Sequence, residues 1–102
     1  MRNGGVMARY ELTVSAAQDF QYIFEFGIDR FGLTQALEYQ NGLKTRFSEL
    51  AEQPLLYEAV DDIREGYRRS VFKSHAIYYM PKVDHVLIVR ILGQQDIESA
   101  LR

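Results

Sequence analysis

The sequence predicts an α+β domain in which a helical hairpin packs on a small antiparallel β-sheet, in the order β-α-α-β-β-β. Apolar residues recur about every 3.6 positions between Ser15 and Gln53, and every second position in the segments on either side. The stretch Asp62 to Leu92, DIREGYRRSVFKSHAIYYMPKVDHVLIVRIL, carries the β-branched and aromatic content of three consecutive antiparallel strands.

Residues 1–9 are expected to form a disordered extension, because Met1 to Val6 holds two glycines and no pattern, and Met7 offers an alternative start. Residues 10–102 are expected to form one domain. Tyr10, Leu12 and Val14 alternate with Glu11 and Thr13, as in a short strand with one buried face. Ser15 with Gln18 three residues on forms a capping-box pattern, and Phe20, Ile23, Phe24, Gly27 and Phe31 follow at helical spacing. Gly32 suits the left-handed position that closes a helix. Leu33 then opens a second helix whose stripe is Ala36, Tyr39, Leu43, Phe47 and Leu50, and Pro54 stops it. So short a link makes the two helices antiparallel. Gly42, inside the second helix, costs about 1 kcal/mol relative to alanine and reads as a place of close helix packing.

The three later strands are expected at Gly66 to Phe72, His75 to Met80 and Val86 to Leu92, with a hairpin around Pro81, Lys82 and Asp84. Alternation in the last strand places Leu87, Val89 and Ile91 on a core face and Val86, Ile88 and Arg90 on the other. After Leu92, Gly93 breaks the strand, and the ten residues GQQDIESALR suit a frayed tail or a single helical turn.

A chain of 102 residues buries roughly 60 to 70% of its unfolded surface, enough for a core without staples. The absence of cysteine excludes a disulfide scaffold, a thiolate zinc site and a cysteine nucleophile. No apolar run approaches the roughly 20 residues that span a bilayer, and no signal peptide is seen, so a soluble, cytoplasmic protein is expected without a membrane partner. The net charge is −2, which does not advertise nucleic-acid binding. The region from Arg64 to Arg90 nevertheless holds Arg64, Arg68, Arg69, Lys73, Lys82 and Arg90 against Glu65 and Asp84, a local charge of +4.

His75 and His85 have no companions at metal-ligand spacing, and neither a glycine-rich phosphate loop nor a GxSxG elbow is present. No metal and no cofactor is therefore expected. Arginines and tyrosines on a sheet remain. Either Arg68, Arg69 and Arg90 hold phosphate while Tyr78 or Tyr79 stacks on a base or shifts a proton, or Arg90 and Arg64 pair with Asp61, Asp62 or Glu65 and the tyrosines are ordinary strand residues. Tyr22 and Phe26 lie four apart, off the main stripe of the first helix. Either they form a second aromatic patch that the sheet leaves uncovered, or they tuck under the second helix.

The pattern Phe31-Gly32, Gln35-Ala36, Tyr39, Leu43, Phe47, Leu50-Ala51, Pro54, then Asp62-Ile63-Arg64, Gly66-Tyr67-Arg68, His75, Tyr78-Tyr79 and Arg90-Ile91-Leu92 resembles the ParE toxins of the RelE/ParE superfamily. The resemblance runs from Tyr10 to Asp96, and DIREGYR followed by a histidine and then RIL is its most specific part. It departs at Gly93 to Asp96, where members usually have a histidine and a longer stretch, and at Tyr57, where many have glycine. The resemblance implies the toxin half of a toxin–antitoxin operon, held inactive by a small antitoxin that folds as it wraps the toxin. It implies DNA gyrase as target, whereas RelE-type relatives cut mRNA on the ribosome.

Three readings follow: a non-enzymatic ParE-like toxin that binds a protein target, a RelE-like ribonuclease, and an inactive binding or regulatory module. The first leads, because Gly93 to Arg102 lacks the tyrosine or histidine that RelE-type chains place after the last strand. Tyr22, Phe26, Arg64, Arg68 and Arg90 are the expected antitoxin contacts, and Arg68, Arg69 and Arg90 the expected target contacts. No catalytic residue is assigned.

Overall fold

In the computed structural model, residues 9–93 are described. The expected extension before them, save Arg9, and the tail after Gly93 lie outside these residues. The chain runs β1 (Tyr10–Leu12), α1 (Val14–Phe31), α2 (Leu33–Glu52), β2 (Glu58–Ala59), β3 (Arg68–Phe72), β4 (His75–Pro81) and β5 (Val86–Gly93).

α1 starts two residues earlier than the capping-box pattern suggests. Thr13, not Ser15, is the N-cap: its Oγ1 accepts from the Ala16 N–H at 3.0 Å and donates to the Val89 carbonyl at 2.8 Å. The hydroxyl thus closes β1 and opens α1 at one residue, and Val14 belongs to the helix with its side chain exposed. At the far end Gly32 has φ +93°, its N–H donating to Ile28 and its carbonyl accepting from Ala36, so one glycine links both helices. α2 buries Ala36, Leu43, Phe47 and Leu50, as its stripe predicts.

The helices approach closely at Gly27, where an added Cβ would lie 3.3 Å from the Ala36 Cβ. Gly42 serves a different contact from the helix packing expected of it. An added Cβ there would stand 2.6 Å from Cζ of Phe72, so the glycine makes room for a ring from β3.

The five strands are ordered β1-β5-β4-β3-β2. β3, β4 and β5 pair antiparallel as expected, while β1 lies parallel to β5 through Tyr10↔Val86, Glu11↔Leu87 and Leu12↔Ile88. β2 pairs with β3 over two residues only. It is too short to leave a periodicity in the sequence.

β5 corrects the expected faces. Tyr78 pairs with Arg90 but Tyr79 pairs with Ile88, so Val89 has no partner and forms a bulge. Val86, Ile88 and Ile91 therefore enter the same core, while Leu87 and Val89 stay partly exposed. An unbroken alternation cannot place positions 86, 88 and 91 together. The extra residue does.

β4 is buried on both faces. Ile77 and Tyr79 join Phe47, Leu43 and Leu50 beneath the helices, whereas Ala76 and Tyr78 meet Val60, Ile63, Tyr67 and Leu92. The covering segment is a compact turn: Asp61 Oδ1 accepts from the Gly66 N–H at 2.8 Å, and Gly66 has φ +87°. This explains why four consecutive residues, Ala76 to Tyr79, are apolar or aromatic. The buried Tyr79 hydroxyl donates to the Pro54 carbonyl at 2.9 Å, pinning the end of α2.

Two consequences are measurable. Gly42→Ala should destabilise the protein by about 1 kcal/mol in chemical denaturation despite its higher helix propensity, because the Phe72 ring cannot yield freely. Combining it with Phe72→Leu should cost less than the two separate losses added together. Burial pushes the Tyr79 phenol above its ordinary pKa, against the opposing charge of Arg68. The unfolded chain then loses this proton first, so stability is complete below about pH 10 and falls as pH rises above it. Tyr79→Phe should flatten that alkaline fall in a pH series of denaturation curves.

Candidate functional site

β1 ends at Leu12, and the outer edge of β5 beyond Ile88 is left without a strand. An open edge carries backbone groups that need partners. Two α1-proximal side chains supply them: Thr13 meets the Val89 carbonyl, and Asp19 accepts from the Ile91 N–H at 3.0 Å. Asp19 also receives Arg90 through Nε at 2.7 Å and Nη2 at 3.1 Å. This two-point fork is the strongest kind of arginine–carboxylate contact. The hydrogen bond to Asp19 and its charge raise the Arg90 pKa above its usual value, against partial burial, so the guanidinium stays charged.

Between α1, α2 and the ends of β4 and β5 lies a groove of about 700 Å³. One wall is aromatic. Tyr22 and Phe26 stack with centroids 6.0 Å apart, and they are 65% and 44% exposed. Phe31 continues this wall, and Arg30 sits 5.2 Å over the Phe26 ring. Gly27 and Ala36 form the floor where the helices meet. The facing wall is polar: the Tyr39 hydroxyl lies 2.7 Å from His75 Nδ1 and 3.3 Å from Ser74 Oγ, and Lys73 stands beside them.

The groove gathers three of the expected binding residues: Tyr22, Phe26 and Arg90. Tyr22 and Phe26 form the exposed patch rather than tucking under α2. Arg64 is exposed on the turn between β2 and β3. Arg68 donates to the Tyr57 carbonyl at 2.6 Å and holds the connection after α2. Arg69 donates to Glu58 through Nε and Nη2 at 3.0 and 2.9 Å and fastens β2 to β3. Its pKa is raised chiefly by hydrogen bonding to Tyr78, then to Glu58. Arg90 pairs with Asp19 rather than with Asp61, Asp62 or Glu65. Tyr78 and Tyr79 are fully buried, which removes base stacking from their possible roles.

The groove also holds residues to which the sequence reading assigned no role there. Asp19 carried one signal, a carboxylate beside Phe20 within the apolar run of α1. The meeting of Tyr39 with His75, 36 positions apart, carried none. Among the described residues no group of three or more His, Cys, Asp or Glu side chains is placed to hold a metal ion, and no helix is long and apolar enough to cross a membrane.

Asp19→Ala should cost about 2 to 3 kcal/mol in urea denaturation, because it strands the Ile91 N–H and leaves a partly buried guanidinium unpaired. Asp19→Asn keeps one acceptor and should lose less.

Comparison with known proteins agrees with this architecture. The model of the family described as "ParE toxin of type II toxin-antitoxin system, parDE" matches residues 10–98. Toxin ParE1 of Caulobacter vibrioides is 33% identical over 88 residues, covering 86% of this chain and 91% of that protein. Toxin ParE1 of Mycobacterium tuberculosis is 32% identical over 89 residues, with the same shares covered. A solved structure of the chromosomal ParDE TA system from P. aeruginosa superposes with a TM-score of 0.74 at 18% identity, covering 87% of this chain and 98% of that one, a likeness of fold. By its matched family model and by its identity with these relatives over most of their length, the chain belongs to the ParE toxin family of type II toxin–antitoxin systems.

Proposed function

We propose that this ParE-family chain is a non-enzymatic cytoplasmic toxin that inhibits growth by binding DNA gyrase, and that a cognate antitoxin neutralises it by filling the groove beside α1. The observation that carries the antitoxin part is the aromatic wall. Tyr22 and Phe26 remain exposed and stacked, with Phe31 exposed on the same groove, along a helix whose other face is packed, and a contiguous apolar patch is unfavourable in water. An antitoxin segment that folds on binding gives up several kcal/mol to ordering, so apolar anchors must supply most of its affinity.

Gyrase as the target is supported by the family and by the lack of a tyrosine or histidine between Gly93 and Arg102. Arg68 and Arg69, outside the groove lining, and Arg90, within it, are the proposed target contacts, while Arg64, Arg68 and Arg90 join Tyr22 and Phe26 as proposed antitoxin contacts. The ribonuclease reading has one observation in its favour, the Tyr39 hydroxyl in contact with His75 Nδ1. Against it, Arg90, the arginine of the groove that would bind phosphate, is held by Asp19.

Purified toxin should inhibit gyrase supercoiling, and primer extension on transcripts from induced cells should show no discrete translation-dependent cuts. The product of the adjacent reading frame should relieve toxicity. Replacing Tyr22 and Phe26 together by serine should weaken its binding more than replacing Arg68 and Arg69 by alanine. A titration at physiological salt in which the arginine pair matters more would move the interface to the sheet.

A further inference from the structure

The turn between β3 and β4 holds a residue that the backbone does not favour. Phe72 pairs with His75, so Lys73 and Ser74 are the two central residues of the turn, and Lys73 has φ +52°. Two-residue hairpins that match strand twist need positive φ at that first position, where glycine fits freely and an L side chain is penalised. Residues held in such conformations cluster at binding sites.

The side chain shows what the position is used for. Its ammonium stands 5.8 Å from the Tyr39 ring centroid and 5.5 Å from that of Phe72, at the rim of the groove. Asp19 is the one carboxylate lining the groove among the described residues, and it is committed to Arg90. Lys73 makes no ion pair with a carboxylate among those residues. The groove thus presents an aromatic wall on one side and one uncompensated ammonium on the other.

We propose that Lys73 is a partner-recognition residue, receiving a carboxylate of the peptide segment whose apolar side chains cover Tyr22 and Phe26. The inference rests on the reading of the groove as the antitoxin's seat, and it adds the chemistry of the occupant: apolar anchors with an acidic side chain across from them. A nucleic acid is the poorer fit, since a polyanion draws on several free cations, and of those near Lys73 Arg90 is neutralised by Asp19 while Arg30 sits on the Phe26 ring of the opposite wall.

Lys73 is exposed, so its contribution falls on association rate and salt dependence more than on dissociation. The experiment measures association of the toxin with the antitoxin encoded beside its gene, at low and high salt, together with the thermal midpoint of each toxin variant. Lys73→Gly should slow association by about threefold to fivefold at low salt, and the difference should vanish near 1 M salt, where screening acts within about 3 Å. Its thermal midpoint should equal or exceed that of the parent. Lys73→Arg should associate within about twofold of the parent, and Lys73→Glu should be slower than Lys73→Gly, with rescue by an antitoxin carrying lysine at one of its acidic positions.

Unchanged association of Lys73→Gly at low salt would overturn the proposal, as would a loss that persists at high salt together with a lowered midpoint, because the lysine would then serve the hairpin. Tight competition by a single-stranded RNA oligonucleotide that depends on Lys73 would assign it to another class of ligand. The Tyr22→Ser, Phe26→Ser double variant separates the two readings. If it weakens binding while Lys73→Gly does not, only the role of Lys73 fails. If neither matters, the groove is not the antitoxin's seat.

Discussion

The architecture depends on how β5 finishes an edge that β1 leaves incomplete. β1 covers only Val86 to Ile88, after which the chain must turn into α1. Thr13 and Asp19 then take over the duties of a neighbouring strand, one for the Val89 carbonyl and one for the Ile91 N–H. Because both side chains belong to the start of the helical hairpin, satisfying the edge also fixes α1 against the sheet. Buried backbone groups without partners are costly, so this arrangement is tied to the fold and not to the surface. It also draws Arg90 to Asp19 and so sets the charge available beside the groove.

Tight packing elsewhere leaves α1 with its exposed aromatic wall. β4 is enclosed on both faces, by the helices and by the turn ahead of β3, and this consumes Phe47, Tyr78 and Tyr79 in the core. Arg46 strengthens the same side: it donates to the buried Ser70 hydroxyl at 2.7 Å and sits over the rings of Tyr57 and Phe72. With these groups occupied, Tyr22, Phe26 and Phe31 stay exposed among the described residues. The proposed antitoxin contact rests on this wall, in a chain of the ParE toxin family.

Much of this was legible from periodicity. The stripe of Ala36, Leu43, Phe47 and Leu50 set the buried face of α2, and Gly32 marked the link through its tolerance of positive φ. The strands β3, β4 and β5 followed from alternation and β-branched content. Tyr22 and Phe26 stood out because they sit four apart off the main stripe, a relation within one helix. Motifs carried the family, since order and spacing in DIREGYR, the histidine and RIL are properties of the sequence itself.

What the sequence by itself determined is therefore local: which segments are helix or strand, which helix face is apolar, and which family the pattern matches. The tertiary structure decided whatever joins distant positions. The bulge at Val89 reversed the expected face of Val86 and Ile88, because register depends on what Tyr78 and Tyr79 meet in the neighbouring strand. Thr13 took the cap from Ser15 because its hydroxyl also reaches a β5 carbonyl 76 positions away. Asp19 and Arg90, 71 positions apart, became one group for the same reason. Hydrogen bonds and steric fit act over a few ångströms in space, and only the folded backbone says which residues come that close.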